Sequence, residues 1–215
     1  MVAMSSVQIE LDGTVGVPPR AESIVLFAHG SGSSRLSPRN AYVARAMREA
    51  GIATLLFDLL TQDEAANRAN VFDVKFLARR LHDATVWVRQ QPSTRDLRLG
   101  YFGASTGAAA ALIAAAADPG VRAVVSRGGR PDMAAAVLAR VTAPTLLIVG
   151  GDDGPVIQFN EEAYAQLRCE KALRIIPGAS HLFEEPGTLE QVTHLAIEWF
   201  SHHLGAADAA RIMCA

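Results

Sequence analysis

Two four-residue runs constrain this chain more than anything else in it. Ile24-Val25-Leu26-Phe27 and Leu146-Leu147-Ile148-Val149 are apolar at every position. A strand with one wet face alternates apolar and polar residues, whereas a strand apolar throughout has both faces covered, as in a parallel sheet layered between helices. The two runs extend to candidate strands Ser23–Ala28 and Thr145–Val149. Five more short runs read the same way: Val7–Leu11, Ala53–Phe57, Leu97–Phe102, Ala123–Ser126 and Leu173–Ile176. Helical stretches lie between them. Asn40–Ala50 stops at Gly51, and Phe72 to about Gln90 carries Val74, Leu77, Leu81, Ala84 and Val88 on one face. Thr106–Ala117, Glu161–Arg168 and Leu189–Leu204 complete the set. This alternation predicts an α/β chain with a doubly wound, mostly parallel sheet. No repeat, charge block or Ser/Gly-rich linker divides it. Residues 1–215 therefore read as one domain, with a core over about 7–204 and a C-terminal tail over 205–215.

Charge and cysteine content narrow the function classes. Twenty Lys+Arg face 22 Asp+Glu, a net charge of −2, so the basic excess of a nucleic-acid binder is missing. Cys169 and Cys214 cannot build a disulfide framework and lack the spacing of a zinc site. Met1–Asp12 interleaves Gln8, Glu10 and Asp12 with its apolar residues, unlike a signal peptide, and the longest apolar stretch, Ala108–Ala117, is too short to span a bilayer. The expectation is a cytoplasmic protein with no membrane or nucleic-acid partner. No cofactor or metal is expected either. Gly30-Ser31-Gly32 begins a dinucleotide fingerprint but meets Arg35 where its third glycine belongs, and no Gly-Lys-Ser/Thr follows a glycine-rich loop. His202-His203 near a helix end reads as solvated surface, and Trp87 and Trp199 read as helix-packing residues.

In open parallel sheets the chemistry sits beyond the carboxyl ends of the strands. Strand Leu97–Phe102 runs into Gly103-Ala104-Ser105-Thr106-Gly107 and then a helix, which is G-x-S-x-G in its strand–turn–helix setting. Such a turn exposes the serine hydroxyl at a helix N-terminus, where developing negative charge is favoured. Strand Thr145–Val149 leads into Gly150-Gly151-Asp152-Asp153, and strand Leu173–Ile176 leads into Pro177-Gly178-Ala179-Ser180-His181. Serine, aspartate and histidine thus follow strands in the order of the α/β-hydrolase triad. A serine hydroxyl needs a base to become a nucleophile, histidine can accept and return a proton near neutrality, and a carboxylate holds the imidazole in one tautomer. His29-Gly30-Ser31-Gly32-Ser33-Ser34 follows the Ser23–Ala28 strand, where this fold places one oxyanion donor; the N–H groups of Ser31 and Thr106 are the expected pair, and His29 is expected to shape the loop. At this point Asp152 and Asp153 both remain open as the triad acid.

These motifs, with Gly178-Ala179-Ser180-His181-Leu182-Phe183, resemble the α/β-hydrolases, specifically the small dienelactone-hydrolase-like group, from about Ile24 to Leu204. The strings Ser37-Pro38-Arg39-Asn40 and Ser126-Arg127-Gly128-Gly129-Arg130-Pro131-Asp132 are similar to a subgroup sometimes fused to phosphoribosyltransferase domains. The superfamily's G-x-x-D-x-x-V loop, matched by Gly150, Asp153 and Val156, favours Asp153 as the acid. Dienelactone hydrolases proper use a Cys nucleophile, so Ser105 is a departure that separates the resemblance from dienelactone itself as substrate. Only 18 residues follow Ser126 before the next strand, too few for a helical cap, and the site is expected to be open.

The resemblance therefore implies a serine hydrolase of a small ester, thioester or lactone, with Ser105 as nucleophile, His181 as base and Asp153 orienting it. A non-catalytic scaffold, or an acyltransferase or perhydrolase, is the alternative. Arg35, Arg39, Arg127 and Arg130 fall on the catalytic side. Arg35, Arg127 and Arg130 are candidate substrate-binding residues for a carboxylate or phosphate, and pairing with Asp58, Asp132 or other local acids is the competing expectation.

Overall fold

The computed structural model describes residues 11–205. The described residues form seven strands: β1 Gly13–Gly16, β2 Ser23–Ala28, β3 Ala53–Phe57, β4 Arg98–Ala104, β5 Val121–Arg127, β6 Thr145–Gly150 and β7 Lys171–Ile176. They make one sheet in the order β1-β3-β2-β4-β5-β6-β7, parallel except for β1, which pairs antiparallel with β3. The first strand is thus Gly13–Gly16; of the expected Val7–Leu11, residues 7–10 lie outside the described residues and Leu11 is not in a strand.

Among the described residues seven α-helices accompany the sheet: α1 Pro38–Glu49, α2 Gln62–Ala66, α3 Arg68–Phe72, α4 Val74–Gln90, α5 Thr106–Ala117, α6 Gly154–Gln166 and α7 Thr188–Leu204. A 3-10 helix, Pro131–Arg140, joins β5 to β6. One face of the sheet packs on α1 and α7 through Val43, Met47, Val192, Ala196 and Phe200, which bury Phe27, Phe102, Val125 and Ile148. The other face packs on α4, α5 and the 3-10 helix through Leu77, Leu81, Leu112 and Leu138, over Leu26, Tyr101, Val124 and Leu147. The central strands are therefore apolar throughout because both faces are dry. Helix α5, Thr-Gly-Ala-Ala-Ala-Ala-Leu-Ile-Ala-Ala-Ala-Ala, is buried along most of its length, and its alanines let it lie close under the sheet.

The chain winds one way from β2 to β3 and the other way from β4 onward, so the strand order reverses between β2 and β4. The crevice beyond the carboxyl ends of those two strands is where open sheets bind ligands. No described helix is long and apolar enough to cross a membrane. The β5–β6 connection holds only the 3-10 helix as regular structure, so no cap domain rises over that edge.

Candidate active site

Ser105 is the single residue between β4 and α5, and its backbone stands at φ 51°, ψ −122°. A non-glycine residue there carries a cost of order 1–3 kcal/mol, so its surroundings must enforce it. The Ser105 N–H donates to Arg127 O at 3.2 Å, and its carbonyl accepts from the N–H groups of Ala108 and Arg130, each at 3.1 Å. The flanking glycines make the close approach possible. A Cβ at Gly107 would run into the Ala28 carbonyl, and one at Gly103 would overlap the Ala108 backbone. The result is a strained, half-buried serine at the first turn of a buried helix, beside the end of β2.

His181 reaches this serine from the β7–α7 loop. Its Nε2 lies 3.3 Å from Ser105 Oγ, and its Nδ1 lies 2.7 Å from Asp153 Oδ2. An ionised carboxylate only accepts, so Nδ1 carries the proton toward Asp153 and the Nε2 lone pair faces the Ser105 hydroxyl. Asp153 precedes α6 and keeps only 11% of its side chain exposed. Asp152, its neighbour, uses its backbone N–H on Ala179 O at 2.9 Å, tying the β6 and β7 loops together. Gly150 lets those loops meet: a Cβ there would overlap Ala179 O and come within 2.6 Å of Ser180 O. Buried Phe183, at φ 56°, and the bond from Ser180 N–H to Glu185 Oε2 at 3.0 Å hold the far side of the loop. Sequence patterns single out neither Phe183 nor Glu185 for this duty, because an apolar residue and an acid after a histidine look ordinary.

The sequence model of the dienelactone hydrolase family matches residues 11–204. The chain belongs to the dienelactone hydrolase family. A crystal structure of a dienelactone hydrolase from Anabaena variabilis is 58% identical, the match covers 94% of this chain and 96% of that one, and the two superpose with a TM-score of 0.89. An α/β serine hydrolase without lid from Xanthomonas campestris, 24% identical over 92% of this chain and 91% of its own, shares the fold with a TM-score of 0.72. Two curated relatives from Mycobacterium tuberculosis, provisionally named phosphoribosyl transferases, are 60% identical over 198 residues. Those residues are 91% of this chain and 44% of each relative, so the chain spans less than half the length of these curated relatives.

In this dienelactone hydrolase family member the β2–α1 loop departs from one expectation. The Thr106 N–H is the first of α5 and has no intrahelical acceptor, as an oxyanion donor requires. The Ser31 N–H instead donates to Thr106 Oγ1 at 3.0 Å. The Thr106 hydroxyl stands within reach of the neighbouring loop and captures that donor, a contact that residue spacing does not reveal. His29 does shape the loop. Its Nε2 accepts from Leu59 N–H and its Nδ1 donates to Gly30 O, each at 3.0 Å, and burial holds its pKa below the ordinary histidine value.

The arginines separate into two kinds. Arg35 is held by Asp58, through both its guanidinium and its backbone N–H, and also faces Asp12 at 3.5 Å. Arg130 makes a two-pronged pair with Asp132 at 2.8 and 2.7 Å and lies over the Phe159 ring. Both expected substrate contacts are thus spent on local carboxylates that lie within hydrogen-bond reach. Arg127 is different. It is buried, its Nε and Nη1 have no hydrogen-bond partner among the described residues, and burial followed by the Arg39 charge pushes its pKa down to about 10.

Away from this crevice, the thiol of half-buried Cys169 is pushed up by burial. Glu170, His202 and His203 bring one ligand atom each within 4.8 Å of one another at the opposite end of the sheet, where β7 begins. His203 packs against Trp199 with the ring planes tilted by 59° and is not the solvated residue its position suggests, whereas Trp87, expected to pack, is 45% exposed.

Proposed function

We propose that this hydrolase acts on a small ester, thioester or lactone through an acyl-enzyme on Ser105. One observation carries the reading: a serine on a positive-φ elbow, an imidazole 3.3 Å from its hydroxyl and a carboxylate 2.7 Å from the far ring nitrogen. Ser105 Oγ attacks the carbonyl while His181 Nε2 takes its proton. Asp153 stabilises the imidazolium that forms. The Thr106 N–H and the positive end of α5 lie where the tetrahedral oxygen gains charge, and one such donor contributes about 2.7–4 kcal/mol in a comparable enzyme. His181 then returns the proton to the leaving group, and water attacks the acyl-enzyme to regenerate Ser105. The uncapped crevice suits small or exposed acyl groups. The transferase name of the curated relatives belongs to proteins more than twice the matched length, and we assign acyl chemistry, rather than phosphoribosyl transfer, to this segment.

The test joins a fluorophosphonate probe to a panel of 4-nitrophenyl esters, thioesters and lactones. The probe is expected to label Ser105, and Ser105→Ala should lower kcat by about 10⁴–10⁶. A native protein that neither reacts with the probe nor turns over any ester overturns the reading. Rapid partition of the acyl group to added alcohol or peroxide, with negligible hydrolysis, would move the assignment to acyl transfer.

A further inference from the structure

The end of the sheet remote from Ser105 brings together two segments far apart in the chain. Helix α7 ends at Leu204 beside the start of the edge strand β7, so His202 and His203 of its last turn meet Glu170, the residue before that strand. The backbone there is fixed from several sides. The Glu170 carbonyl accepts from Thr145 N–H at 2.9 Å, where β6 starts, and Trp199 Nε1 donates to Pro144 O at 3.3 Å. One turn further along α7, the His203 ring packs on Trp199 with 4.4 Å between centroids. The His203 side chain is only 8% exposed, and its Nε2 has no hydrogen-bond partner among the described residues. That nitrogen lies 3.7 Å from Glu170 Oε1, too far for a hydrogen bond. A buried ring nitrogen left unpaired is destabilising and calls for a partner. His202 completes the group. Its ring stands at 83° to that of His203 with 4.6 Å between centroids, and one ligand atom from each of the three residues lies within 4.8 Å of the other two.

The donor set indicates the partner. Two imidazoles and a carboxylate suit zinc, nickel or copper, whereas magnesium and calcium take oxygen ligands. Ligands about 2.0–2.2 Å from a tetrahedral zinc stand about 3.4 Å apart, close to the 3.7 Å between His203 Nε2 and Glu170 Oε1. Glu170 and His202 are exposed and free to turn, while buried His203 sets the position. The negative pole of α7 favours a cation at its last turn. Neighbouring cations are engaged elsewhere: Lys171 Nζ donates to the Tyr164 and Leu167 carbonyls, and Arg98 binds Leu204 O and Glu22. The Cys169 thiol faces Thr145 Oγ1 at 3.7 Å and adds no sulfur ligand. We propose that Glu170, His202 and His203 bind one divalent transition-metal ion of the zinc class, with a further coordination position open to water. The ion clips the end of α7 to the edge of the sheet. Strand β7, six residues at about 3.3 Å each, separates it from the His181 loop, so it takes no part in acyl chemistry.

The test uses the full-length chain without an affinity tag, stripped with a chelator and titrated calorimetrically with zinc chloride, with magnesium chloride as control. One zinc per chain, a saturable rise in Tm and no response to magnesium are expected. Glu170→Gln and His202→Ala alter exposed side chains and should keep the metal-free Tm, yet each should weaken zinc binding roughly tenfold or more. Ser105→Ala and His181→Ala should bind zinc with native affinity, so the site stands or falls apart from the hydrolase reading. Cobalt in place of zinc should give the intense visible d–d bands of four-coordination, and these should vanish in Glu170→Gln; histidines that only cap and pack the helix end give no such bands. Absence of zinc binding, an equal response to magnesium, native affinity in either Glu170→Gln or His202→Ala, or binding that disappears with His181 overturns the proposal.

Discussion

Asp153 Oδ2 stands 2.7 Å from His181 Nδ1, while adjacent Asp152 engages the β7 loop through its backbone N–H. The two acids are chemically alike, so their difference is one of position. Only Asp153 can fix the imidazole tautomer that points a lone pair at Ser105. Asp153→Asn keeps the shape but offers an amide that stabilises the wrong tautomer, and kcat on a 4-nitrophenyl ester should fall about 10⁴-fold. Asp152→Asn should stay within a few-fold of the native enzyme. The reverse order of losses would transfer the triad acid to Asp152.

Gly150 ends β6 where the loop carrying His181 passes over it. Gly150→Ala places a methyl group against the Ala179 and Ser180 carbonyls, and backbone cannot step aside as a side-chain tip can. The loop must lift, and His181 lifts with it. A displacement of about 1 Å at a catalytic group costs on the order of 10²-fold in rate, so kcat should fall by about that much, with a lower Tm. Native kcat in the Gly150→Ala enzyme would show that the His181 loop is not set by this contact.

Most of the sheet was legible because burial on both faces leaves an uninterrupted apolar signature, and β2 and β3 fall where their apolar runs predict. Helix α6 begins at Gly154, seven residues before the expected Glu161, because Gly154-Pro155 reads as a loop although proline is at home in a first helical turn. The short helices α2 and α3 escaped because their polar faces carry no periodic apolar stripe; Thr61 with Glu64 in a capping box was the available signal. The serine, histidine and aspartate were legible because each occupies the loop after a strand, a position fixed by topology. The fate of the arginines was not, because Arg35, Arg127 and Arg130 look alike in one dimension. Only the structure shows that Asp58 and Asp132 answer two of them and that Arg127 turns into the α1 face.

His29 gives the fold a pH dependence of definite sign. Its ring is buried, accepts Leu59 N–H at Nε2 and has a pKa below the ordinary 6.5. In the unfolded chain it titrates near 6.5, so below that pH the unfolded state binds more protons than the folded one. The stabilisation is complete above about pH 6.5 and is lost as pH falls through and below that value. His203, also lowered by burial, adds a contribution of the same sign. Urea unfolding at pH 7 and pH 5 should show lower stability at pH 5, and His29→Gln should shrink that difference without erasing it. An unchanged difference in His29→Gln would remove His29 from the account.

Arg35 and Arg130 should behave as braces. Arg35 ties the β2–α1 loop to Asp58 at the end of β3, with both side chains about three-quarters buried or more. Arg130 anchors the start of the 3-10 helix through Asp132. Removing one partner of a charged hydrogen bond leaves the other carboxylate unanswered, which costs about 1–3 kcal/mol at such partly buried sites. Arg35→Ala should therefore lower the denaturant midpoint, and Arg130→Ala, whose guanidinium is more exposed, should lower it less. Neither change removes a charge available to a substrate, so selectivity for hemisuccinate over butyrate esters should stay within about twofold, close to the error of such ratios. A selective loss of anionic ester turnover in Arg35→Ala, with stability intact, would mean that Asp58 releases this arginine to the substrate during the reaction.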